Sequence, residues 1–145
     1  MFKRILLPTD GSELSLQGVR QGIELARSCG ASVFALHVIQ PFYSISYVAE
    51  MIAATQAVYL EGAVERAERY LAEVRDLAAK AGVPCDSGHI IGDPPSEWIV
   101  QEAQRRQCDL IAMASHGRRG FDKLMLGSET QKVLQTSPVP VLVCH

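Results

Sequence analysis

The hydrophobic pattern of the chain changes repeatedly between short apolar runs and helical stripes, and this alternation restricts the possible folds more than any other feature. Five runs rich in branched and large apolar residues predict strands over 3–8, 31–39, 85–91, 109–115 and 139–144. The segments between them carry apolar residues at spacings of three and four, which predict helices. This order predicts an α/β fold: an open parallel sheet with helices on both faces and right-handed crossovers.

The two longest helical segments have clear ends. The first carries an apolar stripe that runs to Ala26 and meets a stop signal at Gly30. The second follows a loop predicted over 40–45 and ends near Gly82, with Gly62 as a candidate break inside it. Its core-facing stripe is predicted to comprise Leu60, Val64, Ala67, Leu71, Val74 and Ala78.

Capping patterns predict where the two shorter helices begin. Asp93 followed by Pro94 is typical of an N-cap with proline in the first turn. Ser128 and Gln131 form an S-x-x-Q capping box that would open the last helix. That helix is predicted to end at the Ser-Pro pair of residues 137–138.

Length, charge and cysteine content exclude several classes of protein. A chain of 145 residues suits a single domain spanning 1–145. A net charge of -2 argues against broad binding to nucleic acid, although it allows a local basic pocket for a small anion. The apolar run at residues 5–7 is too short for a signal peptide or membrane span, so we expect a cytoplasmic protein without membrane contact. Cys29, Cys85, Cys108 and Cys144 lack C-x-x-C or zinc-finger spacing, so we predict small buried residues and no metal site.

Polar residues follow the predicted strands where an open parallel sheet binds ligands. Such sheets bind beyond the carboxyl ends of their strands, at the point where the winding direction reverses. Residues 8–12 (PTDGS) follow the first strand, residues 115–117 (SHG) follow the fourth, and residues 127–128 (GS) open the last helix. If the first and fourth strands flank the reversal, these three segments meet in one crevice.

Gly127 and Ser128 have the clearest chemical meaning. A helix N-terminus exposes unpaired N–H groups and carries partial positive charge. A glycine before it lets a phosphate approach the backbone, and a serine hydroxyl adds one donor. The alternative is that Gly127 only makes a tight turn and Ser128 only caps the helix.

Two other polar residues have open interpretations. Asp10 could orient a ribose or adenine group or help to hold a phosphate-bound metal, and it could equally cap the first helix with Glu13, as D-x-x-E. His116 could be a catalytic base, but no nucleophile or carboxylate accompanies it at a diagnostic spacing, which favours a hydrogen-bonded structural histidine. His37 and His89 lie in strands and are expected to pack or face solvent. We predict no catalytic residue.

Several nucleotide and hydrolase motifs are missing. The chain has no G-x-x-x-x-G-K-[ST], no G-x-G-x-x-G and no G-x-S-x-G, which disfavours P-loop NTPases, Rossmann dehydrogenases and α/β-hydrolases. Arg118, Arg119 and Lys123 precede Gly127 and could pair with phosphates, with a solvated loop as the alternative.

These segments resemble the universal stress protein family over essentially the whole chain. The resemblance includes KRILLPTDGSELS at the start, LHVI, IIGDPPSEWIV, and MASHGRRGFDKLMLGSETQKVLQTSPVPVLVCH at the end. ATP-binding members share the pattern G-x2-G-x9-G-[ST], which is matched here by Gly117, nine further residues and the pair Gly127-Ser128. Ala114 occupies the first glycine position, where a methyl group costs about 1 kcal/mol if the backbone φ is positive and little if it is negative.

The resemblance implies a fold, a ligand and a site. The fold is a five-stranded sheet in order 3-2-1-4-5, which pairs into a homodimer through the strand at 139–144. The ligand is ATP, with Mg²⁺ or Mn²⁺ on its phosphates. The implied contacts are Pro8, Thr9, Asp10 and Val38 on the adenine and ribose side, Met113, Ala114 and Gly117 through backbone, and Gly127, Ser128 and the amide of Glu129 at the phosphates.

Three hypotheses follow. The first is a stress-response regulatory protein that changes conformation or partners when ATP binds. The second, suggested by Ala114, is a dimeric interaction module of the same fold that needs no nucleotide. The third is a slow ATPase that uses His116 or Asp10. We favour the first, with at most weak hydrolysis, because a phosphate cradle is predicted without a positioned nucleophile and base.

Overall fold

Strands and helices alternate along the chain in this computed structural model, which describes residues 1–42, 49–117 and 125–145. The strands are β1 (Arg4–Pro8), β2 (Ser32–Ile39), β3 (Cys85–Ile91), β4 (Leu110–Ala114) and β5 (Val141–Cys144). The helices are α1 (Glu13–Cys29), α2 (Ala49–Lys80), α3 (Pro95–Arg105) and α4 (Ser128–Thr136). All predicted strands are present. β3 has its predicted bounds, and the others are shorter than predicted by one or two residues.

The strands form one parallel sheet in the order β3-β2-β1-β4-β5, as predicted. The chain winds outward from β1 to β3 and then crosses back to β4 on the other side of β1. The winding direction therefore reverses between β1 and β4, and the segments that follow these two strands become neighbours.

Helices cover both faces of the sheet because alternate strand residues point in opposite directions. Ile5 and Leu7 of β1 pack with buried residues of α1 and α2, whereas Leu6 packs with buried residues of α3 and α4. The buried helix residues of these clusters are Val19, Ile23, Ala26, Leu71, Val74, Ala78, Ile99, Ala103 and Val133.

Two glycines let α1 lie close against the sheet. A Cβ atom on Gly18 would be 2.8 Å from the backbone nitrogen of Ala114. A Cβ atom on Gly22 would be 2.3 Å from Cδ2 of Leu7. Because backbone atoms cannot move aside as a flexible side chain can, Gly18 sets the distance between α1 and β4.

Helix α2 differs from the prediction in two respects. It continues through Gly62 without a break, so the candidate break there was wrong. Val64 is 37% exposed, whereas Ala63 is 4% exposed and takes its place in the core stripe. Positions 63 and 64 both fit the helical period of the stripe, and Ala63 is the one that packs with Ile39 and Ala67 in a buried cluster.

Helix α3 starts later than predicted. Its N-cap is Pro94, which offers no side-chain hydrogen bond, and Pro95 occupies the first turn, so the assignment of Asp93 as N-cap was wrong. Just before the helix, the backbone of Gly92 lies against the indole of Trp98. A Cβ atom on Gly92 would be 2.1 Å from Nε1 of that ring.

Some predicted features fall outside the described residues, namely positions 43–45 of the predicted loop together with Arg118, Arg119 and Lys123. No helix in the described part of the chain is long and apolar enough to cross a membrane. Cys108 and Cys144 are buried as predicted, but Cys29 and Cys85 are only half-buried.

Candidate functional site

A cavity of about 580 Å³ opens at the carboxyl ends of the strands, around the β1–β4 reversal. Segments far apart in sequence meet there because these two strands are adjacent. The ten residues assigned to the site from sequence all line this cavity: Pro8, Thr9, Asp10, Val38, Met113, Ala114, Gly117, Gly127, Ser128 and Glu129.

The loop after β1 is held by its own hydrogen bonds. Ser12, not Asp10, is the N-cap of α1, and its side chain accepts a hydrogen bond of 3.2 Å from the N–H of Ser15. Asp10 instead accepts a bond of 2.9 Å from the N–H of Ser12 through Oδ1. The proposed capping role of Asp10 was therefore wrong, and its carboxylate stiffens the turn that borders the cavity.

The loop after β4 approaches this carboxylate closely. A Cβ atom on Gly117 would be 2.9 Å from Oδ2 of Asp10, so a larger residue there would displace this carboxylate. Glycine at 117 thus has a structural reason independent of any ligand.

The N-terminus of α4 opens into the same cavity. Gly127 is the N-cap, without a side-chain cap hydrogen bond in the described structure, and Ser128 is the first helical residue. The predicted capping box was therefore wrong, because Ser128 lies one position inside the helix. Gln131 donates from Nε2 to the carbonyl of Leu126 at 2.8 Å instead.

Gly127 is tied to the end of β4. Its N–H donates to the carbonyl of Ser115 at 2.8 Å. A Cβ atom on Gly127 would lie 3.3 Å from that oxygen and 3.3 Å from Cα of His116. A side chain at 127 would therefore press on the β4 loop, so this glycine serves close backbone packing.

Glu129 connects α4 to α3 through its side chain. Its Oε2 accepts a hydrogen bond of 2.7 Å from the N–H of Ser96, and its Oε1 lies 3.2 Å from Nζ of Lys132. Burial raises the pKa of Glu129, but the bonds from Ser96 and Lys132 outweigh it and hold the pKa below its usual range. The carboxylate thus acts as an N-terminal cap for α3, whose own N-cap is proline.

Ala114 does not have the strained backbone that would require glycine. Among the described residues, Gln107 is the only non-glycine residue with a positive φ. The carbonyl of Ala114 accepts a hydrogen bond of 3.1 Å from Oγ1 of Thr130, a second tie between β4 and α4. Because the φ of Ala114 is not positive, the methyl group at this position costs little conformational free energy.

Two histidines border the cavity. His116 is 8% exposed, and its Nδ1 lies 3.0 Å from Oγ of Ser115, in agreement with a hydrogen-bonded structural residue. His37, expected only to pack or face solvent, has its Nδ1 2.7 Å from the carbonyl of Thr9 and lines the cavity. A carbonyl can only accept, so Nδ1 of His37 carries the proton.

One face of α2 was missed by sequence reasoning. Tyr59, Ala63, Arg66 and Tyr70 line the cavity opposite the sheet. Their spacing of four, three and four residues is that of one helical face. The sequence carried this signal, but the core stripe next to it was stronger and was the only face assigned.

The whole chain matches a known family. The model of the universal stress protein family matches residues 1–145. This chain belongs to the universal stress protein family. Its relatives in the family include universal stress protein MJ0531 of Methanocaldococcus jannaschii, which is 31% identical over 145 residues that cover 99% of this chain and 82% of the relative.

Solved structures of other universal stress proteins have the same fold. Protein MJ0577 of M. jannaschii is 27% identical, with a TM-score of 0.84 over 99% of this chain and 96% of that one. UspA from Lactobacillus plantarum is 21% identical, with a TM-score of 0.85 over 99% and 97%.

Two further similar structures contain adenine nucleotides. A universal stress protein in complex with cAMP is 22% identical, with a TM-score of 0.70 over 99% of this chain and 97% of that one. A universal stress protein from Archaeoglobus fulgidus in complex with dAMP is 18% identical, with a TM-score of 0.66 over 100% and 98%.

Proposed function

We propose that this universal stress protein is a stress-response regulator that binds ATP, with Mg²⁺ or Mn²⁺ on the phosphates. One observation carries the proposal. The start of α4, where the N-cap Gly127 offers no side chain to the first amides, opens into the same cavity as the loop after β1 and the end of β2. A helix N-terminus favours phosphate, and the remaining walls offer room for a nucleoside.

In this proposal the ligand extends across the sheet edge. The phosphates lie at the amides of Ser128 and Glu129, and the adenine and ribose lie beside Pro8 and Val38. The cation is carried by phosphate oxygens, with the carboxylate of Asp10 nearby. Lys132 also lines the cavity from the second turn of α4 and adds positive charge at the phosphate end.

Relatives of the same fold support an adenine nucleotide as the ligand class. The ligands cAMP and dAMP share adenine, a pentose sugar and one phosphate group. Ala114 gives no reason to favour a module without ligand, because its backbone tolerates alanine.

The most specific test removes one backbone N–H at the start of α4. Ser128→Pro removes an N–H and the hydroxyl, yet proline suits the first helical position. Gly127 has φ -59 and ψ 151, an extended conformation that permits a following proline. Ser128→Ala, the matched control, removes the hydroxyl alone. Calorimetry with ATP and Mg²⁺ should show a Kd raised about tenfold in S128P and less in S128A.

The possible results separate the alternatives. ATP at 100 times its Kd should stabilise the wild type by about 2.7 kcal/mol. If the wild type neither binds ATP nor gains stability, the result would favour the second hypothesis, an interaction module that needs no nucleotide. An unchanged affinity of S128P for ATP would show that the phosphates do not bind at the start of α4.

We also propose a cytoplasmic, single-domain protein that pairs with a second copy through residues 139–144. β5 is an edge strand of the sheet, and Leu142 on it is 39% exposed. An unpaired edge with an exposed apolar side chain favours pairing with another strand.

A further inference from the structure

The cavity face of α2 is fixed in place by contacts at the end of β2. Tyr59 donates a hydrogen bond of 2.8 Å from its hydroxyl to the carbonyl of Gln40. One turn later, Ala63 packs with Ile39 in a small buried cluster. This part of α2 therefore crosses over the carboxyl end of β2.

Two turns further along, the same face contacts the loop after β1. Tyr70 lies against Gly11, where a Cβ atom would be 2.3 Å from Cε1 of the tyrosine ring. Gly11 has a φ of 78°, a left-handed conformation that itself favours glycine. The ring of Tyr70 also meets His37 edge-on, with ring centroids 5.3 Å apart.

Arg66 lies between these two anchors. It is three residues after Ala63 and four before Tyr70, so the same helical face carries it over the cavity, which it lines. Its neighbours on this face are fixed at the ends of β1 and β2, so Arg66 borders the part of the cavity next to these two strands.

The charge of Arg66 is not used by the protein in the part of the chain that the structure describes. Arg66 and its neighbour Arg69 have no carboxylate partner there. The remaining described arginines all do, namely Arg4, Arg20, Arg27, Arg75, Arg105 and Arg106. Of the two unpaired arginines, Arg66 lines the cavity and Arg69 does not.

We propose that Arg66 lays its guanidinium group against the face of the nucleotide base, and this inference rests on the proposed function. The planar guanidinium stacks on aromatic rings and keeps its edge free for water. Opposite it, Val38 and Pro8 offer an apolar surface at the strand ends. The base would thus lie between the sheet edge and α2.

The position of Arg66 argues for the base and not for the phosphates. One anchor of α2 is at the end of β2 and the other is at the loop after β1, whereas Gly127 at the start of α4 is bonded to the end of β4. β1 separates β2 from β4, which places the β2 anchor about 10 Å from the end of β4. A nucleotide with its phosphates at α4 would reach β2 with its other end.

The test compares Arg66→Ala with Arg69→Ala, an exposed arginine on the same helix that does not line the cavity. Calorimetry with ATP and Mg²⁺ should give a Kd about tenfold higher for R66A and unchanged for R69A. Arg66→Lys, which keeps the charge without the planar group, should recover only part of the affinity. Inorganic triphosphate, which has no base, should bind R66A and wild type equally. Melting curves without ligand establish that all variants fold.

Each contrary result has a distinct meaning. Equal ATP affinities in R66A and wild type overturn the inference. An equal loss of affinity for inorganic triphosphate in R66A also overturns it, as does full recovery of ATP affinity in R66K. Either result would mean that Arg66 acts through its charge on the phosphates. A wild type that binds no ATP overturns the proposed function itself, and the inference with it.

Discussion

The carboxylate of Glu129, in the first turn of α4, accepts a hydrogen bond of 2.7 Å from the backbone N–H of Ser96 at the start of α3. Two helices that follow different strands are therefore joined at their N-termini, beside the cavity. Because the N-cap of α3 is proline, this carboxylate supplies the capping group that the local sequence lacks.

The depressed pKa of Glu129 predicts a pH-dependent contribution to stability. A carboxylate whose pKa is lowered on folding stabilises fully above its unfolded pKa, and the stabilisation is lost as the pH falls through the folded value. At pH 7, Glu129→Gln should lower the free energy of unfolding by about 1 kcal/mol. In urea titrations, this difference should shrink once the pH falls below the usual value of 4.5.

Glu61→Gln is the matched control, because Glu61 is exposed on α2. It should change the free energy of unfolding by less than about 0.5 kcal/mol at either pH. A difference between wild type and E129Q that stays constant from pH 7 down to about pH 3 would contradict the role given to this carboxylate.

Replacing each of two helix glycines by alanine should change the free energy of unfolding in opposite directions. Gly18→Ala places a Cβ 2.8 Å from a backbone nitrogen of β4 and should destabilise the protein by about 1–3 kcal/mol. At Gly62 the nearest atom would be a terminal nitrogen of Arg66 at 3.4 Å. Gly62→Ala should stabilise by about 1 kcal/mol, because alanine suits a helix interior better. Urea unfolding measures both, and a similar loss in the two variants would refute the close approach of α1 to β4.

Replacing Ala114 by glycine tests whether the departure from the family motif affects the ligand. Since the φ of Ala114 is not positive, Ala114→Gly should leave the Kd for ATP within about twofold of the wild type. It should lower the free energy of unfolding by about 1 kcal/mol, because glycine loses more entropy in a strand. A tenfold gain in affinity would instead mean that the methyl group obstructs the nucleotide.

The proposed dimer predicts a specific sensitivity at β5. Leu142→Lys places a charge on the edge strand and should convert a dimer to a monomer in analytical ultracentrifugation. Leu134→Lys is the control, since Leu134 is 41% exposed but lies on α4. Monomeric wild-type protein would reject the dimer, and dissociation by both variants would place the interface elsewhere.

The sheet and its order could be predicted because the signals are local and repeated. Each buried strand is a short apolar run, and each helix has a stripe at its own period. The strand order came from the family resemblance and agrees with the structure. The same repetition brought the correct loops together at the cavity.

The errors have a common physical origin in competition between neighbouring groups. Asp10 and Ser12 both have the chemistry of an N-cap, and Ser12, whose backbone is extended, is the residue that accepts the capping bond from Ser15. Val64 and Ala63 both fit an apolar stripe, and the contact with Ile39 at the end of β2 buries Ala63.

The cavity face of α2 could not be assigned for a different reason. Tyr59, Arg66 and Tyr70 are amphipathic residues that are as common on a solvated helix face as in a site. Their meaning depends on contacts with Gln40 and Gly11, which lie nearly 20 and 60 residues away. The spacing of these residues shows that they share one helical face, but not that this face borders a cavity.

The contact between Gly92 and Trp98 gives this protein a natural optical probe. Trp98 is the only tryptophan of the chain, and it lies in the first turn of α3, next to a Pro-Pro segment that lines the cavity. Indole emission depends on the polarity around the ring. A ligand that changes the surroundings of this indole would therefore be detectable by intrinsic fluorescence, without a label and without altering a residue at the strand ends.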